Sequence, residues 1–146
     1  GVLRGGHVFQ IGLRGAWPGP AEFAWMREQG YRWRTMDECL DRGIDAVVAE
    51  AIAHARAVAP RVYLTVDIDV LDPAFAPGTG TPEPGGFATR ELLRAVRRVA
   101  REVDLAAIDV VEVAPPYDVA GITAMAAHRV ALEAISGTAA RRLAGG

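Results

Sequence analysis

Apolar residues recur along this chain in two alternating spacings. Short apolar runs predict four strands, at residues 7–13, 31–35, 61–66 and 105–113. Helical spacing predicts four helices, at residues 20–29, 44–59, 89–103 and 121 to about 136, with a further stretch to 143. Because each strand is followed by a helix, the order predicts a mainly parallel sheet with helices packed against it.

Two carboxylates follow the third predicted strand directly. Asp67 and Asp69 leave the apolar run of residues 62–66, and side chains two residues apart in a strand point to the same side. Like charges held that close repel each other unless a cation, a proton or hydrogen-bond donors lie between them. Hard divalent metal ions prefer carboxylate oxygens. We therefore predict that Asp67 and Asp69 bind a metal ion.

A third carboxylate, Glu112, lies near the end of the fourth predicted strand. Ligands of open α/β sheets bind outside the carboxyl ends of the strands, so we expect Glu112 at the same rim as Asp67 and Asp69. The proline- and glycine-rich segment 72–88 is expected to form a shaped loop there rather than a flexible tether.

Two other metal-binding interpretations of the acidic cluster can be compared with the sequence. An EF-hand loop that starts at Asp67 needs a glycine at its sixth position and a glutamate at its twelfth, where this chain has Asp72 and Gly78. That interpretation fails. An Asp-x-Asp pair that grips a metal ion and a diphosphate, as in a nucleotide-sugar transferase, remains open.

Composition limits the class of partner. The 146 residues are 51% hydrophobic and 23% charged with a net charge of −2, which is typical of one globular domain. This balance gives no electrostatic basis for binding nucleic acid or a membrane surface. The single cysteine, Cys39, excludes an intramolecular disulfide and favours a reducing, cytoplasmic location. Its acidic neighbours are expected to raise the pKa of the thiol.

Three segments carry a family resemblance: residues 65–86, residues 109–118 and, more weakly, residues 10–15. The first contains Asp-Ile-Asp-Val-Leu-Asp-Pro and Ala-Pro-Gly-Thr-Gly-Thr-Pro, and it resembles the third metal motif of the arginase/agmatinase (ureohydrolase) family. The second, with Glu-Val-Ala-Pro-Pro-Tyr-Asp, resembles the strand with which that family binds guanidinium. The residues of both segments are more similar to those of agmatinases and guanidino-acid hydrolases than to those of true arginases.

The resemblance implies a three-layer α-β-α fold with a mainly parallel sheet, as in the arginases and deacetylases. It implies Mn²⁺-dependent hydrolysis of agmatine or a related guanidino acid to urea and an amine. Under the same resemblance Asp67 would bridge two Mn²⁺ ions, Asp69 would ligate one of them, and Glu112 would pair with the guanidinium of the small-molecule substrate.

The resemblance also implies that part of the site lies outside this chain. The family's Gly-Gly-Asp-His and Asp-x-His-x-Asp motifs have no counterpart here, and none of the three histidines is expected to be a ligand. His7 is expected to be structural or exposed, His54 to face solvent, and His128 to lie in packing or an interface. We expect Trp17 to pack, with contact to the tail of the substrate as the alternative.

Residues 1–146 are therefore expected to be the carboxyl-terminal part of a single ureohydrolase domain whose amino-terminal half is missing. Such a chain should be inactive alone, and the complete enzyme should be a homo-oligomer. A non-catalytic assembly module related to this family is the remaining alternative.

Overall fold

The computed structural model describes residues 3–145, which form two compact units, residues 3–60 and residues 61–145. Each unit contains one pair of parallel strands. The strands and helices, in chain order, are β1 (Phe9–Leu13), α1 (Pro20–Glu28), β2 (Arg32–Thr35), α2 (Met36–Arg42), α3 (Ile44–Val58), β3 (Val62–Asp67), α4 (Thr89–Glu102), β4 (Leu105–Val111) and α5 (Ile122–Leu143). Short 3₁₀ turns lie at Gly5–His7, Ile68–Val70 and Pro115–Tyr117.

In the first unit, β1 and β2 run parallel, with Phe9 opposite Arg32 and Leu13 opposite Thr35. Helix α1 connects them. It begins at Pro20, whose fixed φ suits the first helical turn, and Gly30 follows its end with a φ of 80°. The predicted strand, helix and strand of this unit are therefore confirmed.

Helix α2 is absent from the prediction, although its start carries a recognisable signature. Thr35 Oγ1 accepts a hydrogen bond from the Glu38 N–H at 3.3 Å, and Glu38 Oε2 accepts one from the Thr35 N–H at 2.8 Å. This reciprocal capping box stabilises a helix of 7 residues, too short to show a clear apolar period. Gly43, with a φ of 80°, then lets α3 begin at once.

In the second unit, β3 and β4 run parallel, with Tyr63 opposite Ala107 and Asp67 opposite Val111. Helices α4 and α5 pack against each other, and α5 also packs against β4. The buried side chains of α4 are those of the predicted inner face, Leu92, Val96 and Ala100. Helix α5 thus packs on the strand whose end lies beside Asp67, and α4 packs on α5.

Helix α5 is continuous over 22 residues, whereas the sequence pattern predicts an interruption near residue 136. Gly137 lies inside this helix, at the point where α4 passes very close to it. A Cβ on Gly137 would lie 2.7 Å from the Ala100 Cβ, so only glycine permits this approach. Among the helices of residues 3–145, none, α5 included, is long and apolar enough to cross a bilayer.

An ion cluster around the buried Glu133 joins α4 to α5. Glu133 is only 2% exposed, and its Oε1 accepts hydrogen bonds from Arg97 Nη2 at 2.7 Å and from Arg129 Nε at 2.8 Å. The hydrogen bonds from Arg97, with a further contribution from Arg129, overcome the effect of burial and lower the pKa of Glu133 to about 2. Glu133 is therefore ionised and fully paired at neutral pH.

Candidate active site

The three predicted site carboxylates meet at the carboxyl end of the β3–β4 pair. Asp67 is the last residue of β3 and lies opposite Val111, the last residue of β4, so Glu112 leaves the sheet beside it. Their proximity shows in the electrostatics, because the charges of both Asp69 and Glu112 contribute to raising the pKa of Asp67. The structure therefore brings Asp67, Asp69 and Glu112 together at the expected rim, while their metal- and substrate-binding roles stay predictions.

Asp69 reaches this rim by a different route from the one predicted. Strand β3 ends at Asp67, and Asp69 lies in the 3₁₀ turn Ile68–Val70, so strand alternation does not set its direction. The turn itself draws the two residues together, because Asp67 Oδ1 accepts a hydrogen bond from the Asp69 N–H at 3.2 Å. The expectation that both lie in one strand is wrong, because the chain turns before alternation can operate.

Thr81 joins the far side of the loop to the acidic rim. Its Oγ1 donates a hydrogen bond to Asp69 Oδ2 at 2.8 Å, across 12 residues of sequence. Gly80, its neighbour, lies near the third carboxylate, since a Cβ placed there would be 3.8 Å from Glu112 Oε2. The loop thus hydrogen-bonds to one site carboxylate, Asp69, and passes near another, Glu112.

The base of the loop is closed by Asp72. Its Oδ1 accepts the Ala74 N–H at 2.9 Å and its Oδ2 accepts the Gly85 N–H at 2.8 Å. The Asp72 N–H donates to Phe87 O at 3.0 Å, and Gly86 passes so close that a Cβ there would lie 2.4 Å from the Asp72 nitrogen. These contacts give the loop a defined shape, as the sequence predicts, and assign Asp72 to the architecture of the loop.

The backbone of Glu112 has an uncommon conformation. Its φ is +64°, in the left-handed region that is costly for a residue with a Cβ. Two residues later the Ala114 N–H donates to Gly78 O at 2.8 Å, which ties the exit of β4 to the loop. Such conformations persist only where the surroundings hold them, and they concentrate at functional sites.

The pKa of Asp67 is strongly raised although its side chain is exposed to solvent. Displacement of water by the surrounding chain is the main cause that raises its pKa to about 6. The Asp69 N–H opposes this shift, whereas the negative charges of Asp69 and Glu112 add to it. A divalent cation would neutralise this repulsion, and the donor atoms are the hard oxygens that Mn²⁺ accepts.

The rim can supply part of a metal site. Within residues 3–145, no cluster of three or more histidine, cysteine, aspartate or glutamate side chains is arranged to hold a metal ion. Thr79, in the site loop, is 3% exposed, and its Oγ1 has no hydrogen-bond partner in the described part of the chain. Asp67 and Asp69 fit a divalent cation in donor type, and further ligands would have to come from elsewhere.

The histidines and Trp17 lie in other surroundings. His7 and His128 are exposed. The expectation that His54 faces solvent is wrong: it is half-buried, with Nε2 at 2.8 Å from Gly6 O and its ring 5.8 Å from that of Phe9. Trp17 does not pack as expected, because it is 69% exposed.

Trp17 lines a groove of about 280 Å³ within the first unit. The groove lies at the carboxyl ends of β1 and β2, and its walls include Leu13, Thr35, Arg14 and Asp37. The ring of Trp17 thus lies at the surface in a groove that Arg14 and Asp37, of opposite charge, also line.

Cys39 is buried, and burial is the main cause that raises the pKa of its thiol to about 11. Glu38 contributes in the expected direction, but less than burial, and Arg42 and Arg34 oppose it. The thiol is therefore protonated at neutral pH, and the expected direction of its pKa shift is confirmed.

Thr81 is the site residue that sequence patterns miss most plainly. Its hydroxyl reaches Asp69 only because the loop folds back on itself, and no spacing rule connects residues 12 apart in an irregular segment. The available signal is compositional: two threonines between glycines and prolines, Gly78 to Pro82, in a loop that follows acidic residues.

Comparison with known proteins decides the family. The family model described as "Arginase family" matches residues 1–137, nearly the whole chain. This chain belongs to the arginase family. The match covers both units and includes Asp67, Asp69 and Glu112.

Relatives within the arginase family include a guanidinopropionase of Pseudomonas aeruginosa, 47% identical over 126 residues, which cover 86% of this chain and 38% of the relative. An agmatinase of Escherichia coli is 42% identical over 144 residues, covering 97% of this chain and 43% of the relative. This chain therefore spans about two fifths of the length of these relatives.

Solved structures establish the fold. Formimidoylglutamase from Bacillus subtilis superposes with a TM-score of 0.90 at 33% identity, over 94% of this chain and 43% of that chain. Proclavaminate amidinohydrolase from Streptomyces clavuligerus gives a TM-score of 0.86 at 37% identity, over 96% of this chain and 46% of that chain. The predicted fold class, a three-layer α-β-α arrangement with mainly parallel strands, is confirmed by these arginase-family neighbours. The nucleotide-sugar transferase interpretation, which depended on Asp-x-Asp alone, loses its support.

Proposed function

We propose that this chain supplies the carboxyl-terminal part of a ureohydrolase domain that hydrolyses a guanidino compound to urea and an amine. The observation that carries the proposal is the convergence of Asp67, Asp69 and Glu112 at one strand rim in a member of the arginase family. Relatives named agmatinase, guanidinopropionase and guanidinobutyrase support the class of substrate. Because this chain spans about two fifths of their length, the activity is proposed for the longer enzyme of which it would be a part.

Asp67 and Asp69 would hold the metal. Two Mn²⁺ ions, when bound, supply Lewis acidity and a hydroxide near neutral pH, which the resonance-stabilised guanidinium carbon requires. Asp67 would ligate in its ionised form, which its crowded position disfavours until a cation is present. Thr81 would orient Asp69, since its hydroxyl donates to one carboxylate oxygen and leaves the remaining lone pairs available.

Glu112 would recognise the substrate. An ionised carboxylate can accept two parallel N–H bonds from the planar guanidinium, and such charge-assisted bonds fix both the position and the rotation of the group. Glu112 is exposed at the rim, where a substrate can reach its carboxylate, and its left-handed backbone is of the kind that concentrates at functional sites.

The substrates for which these relatives are named differ at the end opposite the guanidinium. Agmatine, guanidinopropionate and guanidinobutyrate differ there in charge and length, whereas Asp67, Asp69 and Glu112 would contact only the common end. We therefore propose a linear guanidino compound as the substrate class, agmatine or a guanidino acid. A urea-release screen of the full-length enzyme across these compounds would select the member.

Two substitutions in the full-length enzyme test the proposed roles. Asp69→Asn should remove bound Mn²⁺ and urea release together, because the metal loses a charged ligand. Glu112→Gln should retain the metal and raise KM, because the guanidinium loses its counter-charge. Metal analysis beside steady-state kinetics separates the two effects. Normal metal content and normal rates in Asp69→Asn would refute the metal role.

The chain of 146 residues alone should release no urea from agmatine with Mn²⁺, since two aspartates cannot hold a binuclear cluster tightly. Turnover by this chain would contradict the proposal that ligands are supplied from outside it. Inactivity of the full-length protein towards all guanidino compounds would instead favour a non-catalytic assembly module. Homo-oligomeric assembly and a cytoplasmic location stay predictions, to be tested by light scattering and cell fractionation.

A further inference from the structure

The loop that carries Thr81 is held at Gly78 by three neighbouring segments. The Gly78 N–H donates to Thr123 Oγ1 at 2.8 Å, and Gly78 O accepts from the Ala114 N–H at 2.8 Å. Asp118 lies against the third side, since a Cβ on Gly78 would be 2.5 Å from the Asp118 Cβ. We call the group of Gly78, Ala114, Asp118 and Thr123 the Gly78 clamp.

Thr123 is buried in the first turn of α5, and Asp118 holds the backbone around it. Thr123 is 0% exposed, and its N–H and that of Ala124 donate to the two carboxylate oxygens of Asp118, each at 2.9 Å. The Thr123 hydroxyl oxygen accepts from the Gly78 N–H, so one of its lone pairs faces Gly78. The first turn of α5 therefore presents one oriented acceptor to the loop.

The Gly78 clamp connects to both proposed functions of the rim. On one side, Ala114 follows Glu112 by two residues and bonds to Gly78 O. On the other side, the loop continues from Gly78 to Gly80, where an added Cβ would lie 3.8 Å from Glu112 Oε2, and to Thr81, which bonds to Asp69. A shift of Gly78 would thus be passed to the loop wall beside Glu112 and to the hydroxyl on Asp69.

We propose that Thr123 is a positioning residue for guanidinium binding, which acts through the Gly78 clamp to set the loop against Glu112. The inference rests on the proposed function, because it assigns Thr123 to the same site. Loss of the Thr123 hydroxyl leaves the buried Gly78 N–H without an acceptor, and an unpaired buried donor is relieved when the backbone moves towards water. Such a movement would displace the loop from the guanidinium position without removing any group that touches substrate.

The test uses the full-length, Mn²⁺-loaded enzyme with Thr123→Val, which keeps the shape and branching of the side chain but removes its oxygen. We expect KM for the guanidino substrate to rise about tenfold and kcat to change less than about threefold, the loss of one buried hydrogen bond felt mainly in binding. Thr123→Ser retains the oxygen and should remain within about twofold of the wild type in KM. Bound Mn²⁺, measured by elemental analysis, should stay stoichiometric in both variants.

Thr138→Val is the matched control, because it makes the same exchange at a half-buried threonine further along α5. It should leave KM and kcat unchanged. If Thr123→Val does not fold, Thr123→Ala takes its place, since it removes the same acceptor and favours the helix. An unchanged KM in the folded variant, or equal losses in Thr123→Val and Thr123→Ser, overturns the inference. If the wild-type enzyme releases no urea from any guanidino compound, the proposed function itself fails.

Discussion

Two acidic groups of the second unit show opposite solutions to the same electrostatic problem. Glu133 is buried between α4 and α5, where arginines supply opposite charge and lower its pKa to about 2. Asp67 is exposed at the strand rim, yet water displaced from around it and the charges of Asp69 and Glu112 raise its pKa to about 6. The ionised form is therefore stabilised in the buried acid, Glu133, and destabilised in the exposed acid, Asp67.

The difference separates a structural cluster from a functional one. At Glu133 every charge has a partner within the fold, so the cluster stabilises the packing of two helices. At the rim, the negative charges of Asp69 and Glu112 lie close enough to Asp67 to help raise its pKa, and this is the arrangement that a bound metal or a cationic substrate resolves. Removing charge at the two places should accordingly have opposite consequences.

Asp67→Asn in the full-length enzyme should give the largest effect. We expect urea release to fall roughly a thousandfold, as for loss of a principal electrostatic group at a reaction centre. The metal-free variant should be no less stable than the metal-free wild type, because the exchange removes repulsion. Activity assays and urea unfolding of the same samples measure both. A large loss of stability in metal-free Asp67→Asn would contradict the contrast with Glu133.

Glu133→Gln should show the reverse pattern. It leaves two arginines without their counter-charge and should lower the free energy of unfolding by about 2–3 kcal/mol, less than for fully buried pairs. The reduction is expected because the side chains of Arg97 and Arg129 are each 51% exposed and water screens them. The activity of the folded fraction should be unchanged. A Glu133→Gln enzyme of wild-type stability would show that the cluster contributes nothing.

Acid sharpens this contrast. The folded-state pKa of Glu133, about 2, lies below its ordinary value of 4.5, so its contribution to stability is complete above pH 4.5 and disappears as the pH falls towards 2. The stability difference between the wild type and Glu133→Gln should therefore shrink steadily from pH 5 downward. Unfolding curves of both proteins at a series of pH values provide the measurement. A difference that stays constant down to pH 2 would rule out ionisation as its source.

Glu102→Gln should give the smallest effect and serves as the control for Glu133→Gln. Glu102 accepts a hydrogen bond from Arg98 at 2.8 Å in an i,i+4 pair, and its side chain is 36% exposed. Such surface pairs contribute about 0.5 kcal/mol or less. Chemical denaturation should hardly distinguish this variant from the wild type. A loss comparable to that of Glu133→Gln would mean that burial does not decide the outcome.

The sequence predicts the rim well because strand order carries that information. Parallel strands place Asp67 and Glu112 at one end of the sheet whatever the details of the loops. The position of Asp69 is correct for a wrong reason, since a turn replaces the expected strand. Helix α2 escapes detection because 7 residues hold too little periodicity, although Thr35 and Glu38 form its capping box.

Contacts between distant segments are what sequence patterns cannot supply. The bonds of Thr81 to Asp69 and of Gly78 to Thr123 join residues 12 and 45 positions apart. No local rule pairs these residues, because their meeting depends on how the loop lies over the end of α5. Similarly, Gly137 suggests an interruption of α5, and only the nearness of Ala100 explains why the helix continues through a glycine.

The left-handed backbone at Glu112 also bears on how this residue can be re-engineered. Asparagine and glycine tolerate that conformation best, whereas valine or isoleucine would oppose it. A library at this position would therefore confound chemistry with backbone preference unless asparagine and glycine variants are scored as references. Aspartate also enters this region more readily than most residues, and Glu112→Asp would shorten the side chain by one methylene. The change in ligand affinity of that variant would therefore report how far the carboxylate has to extend to reach the ligand.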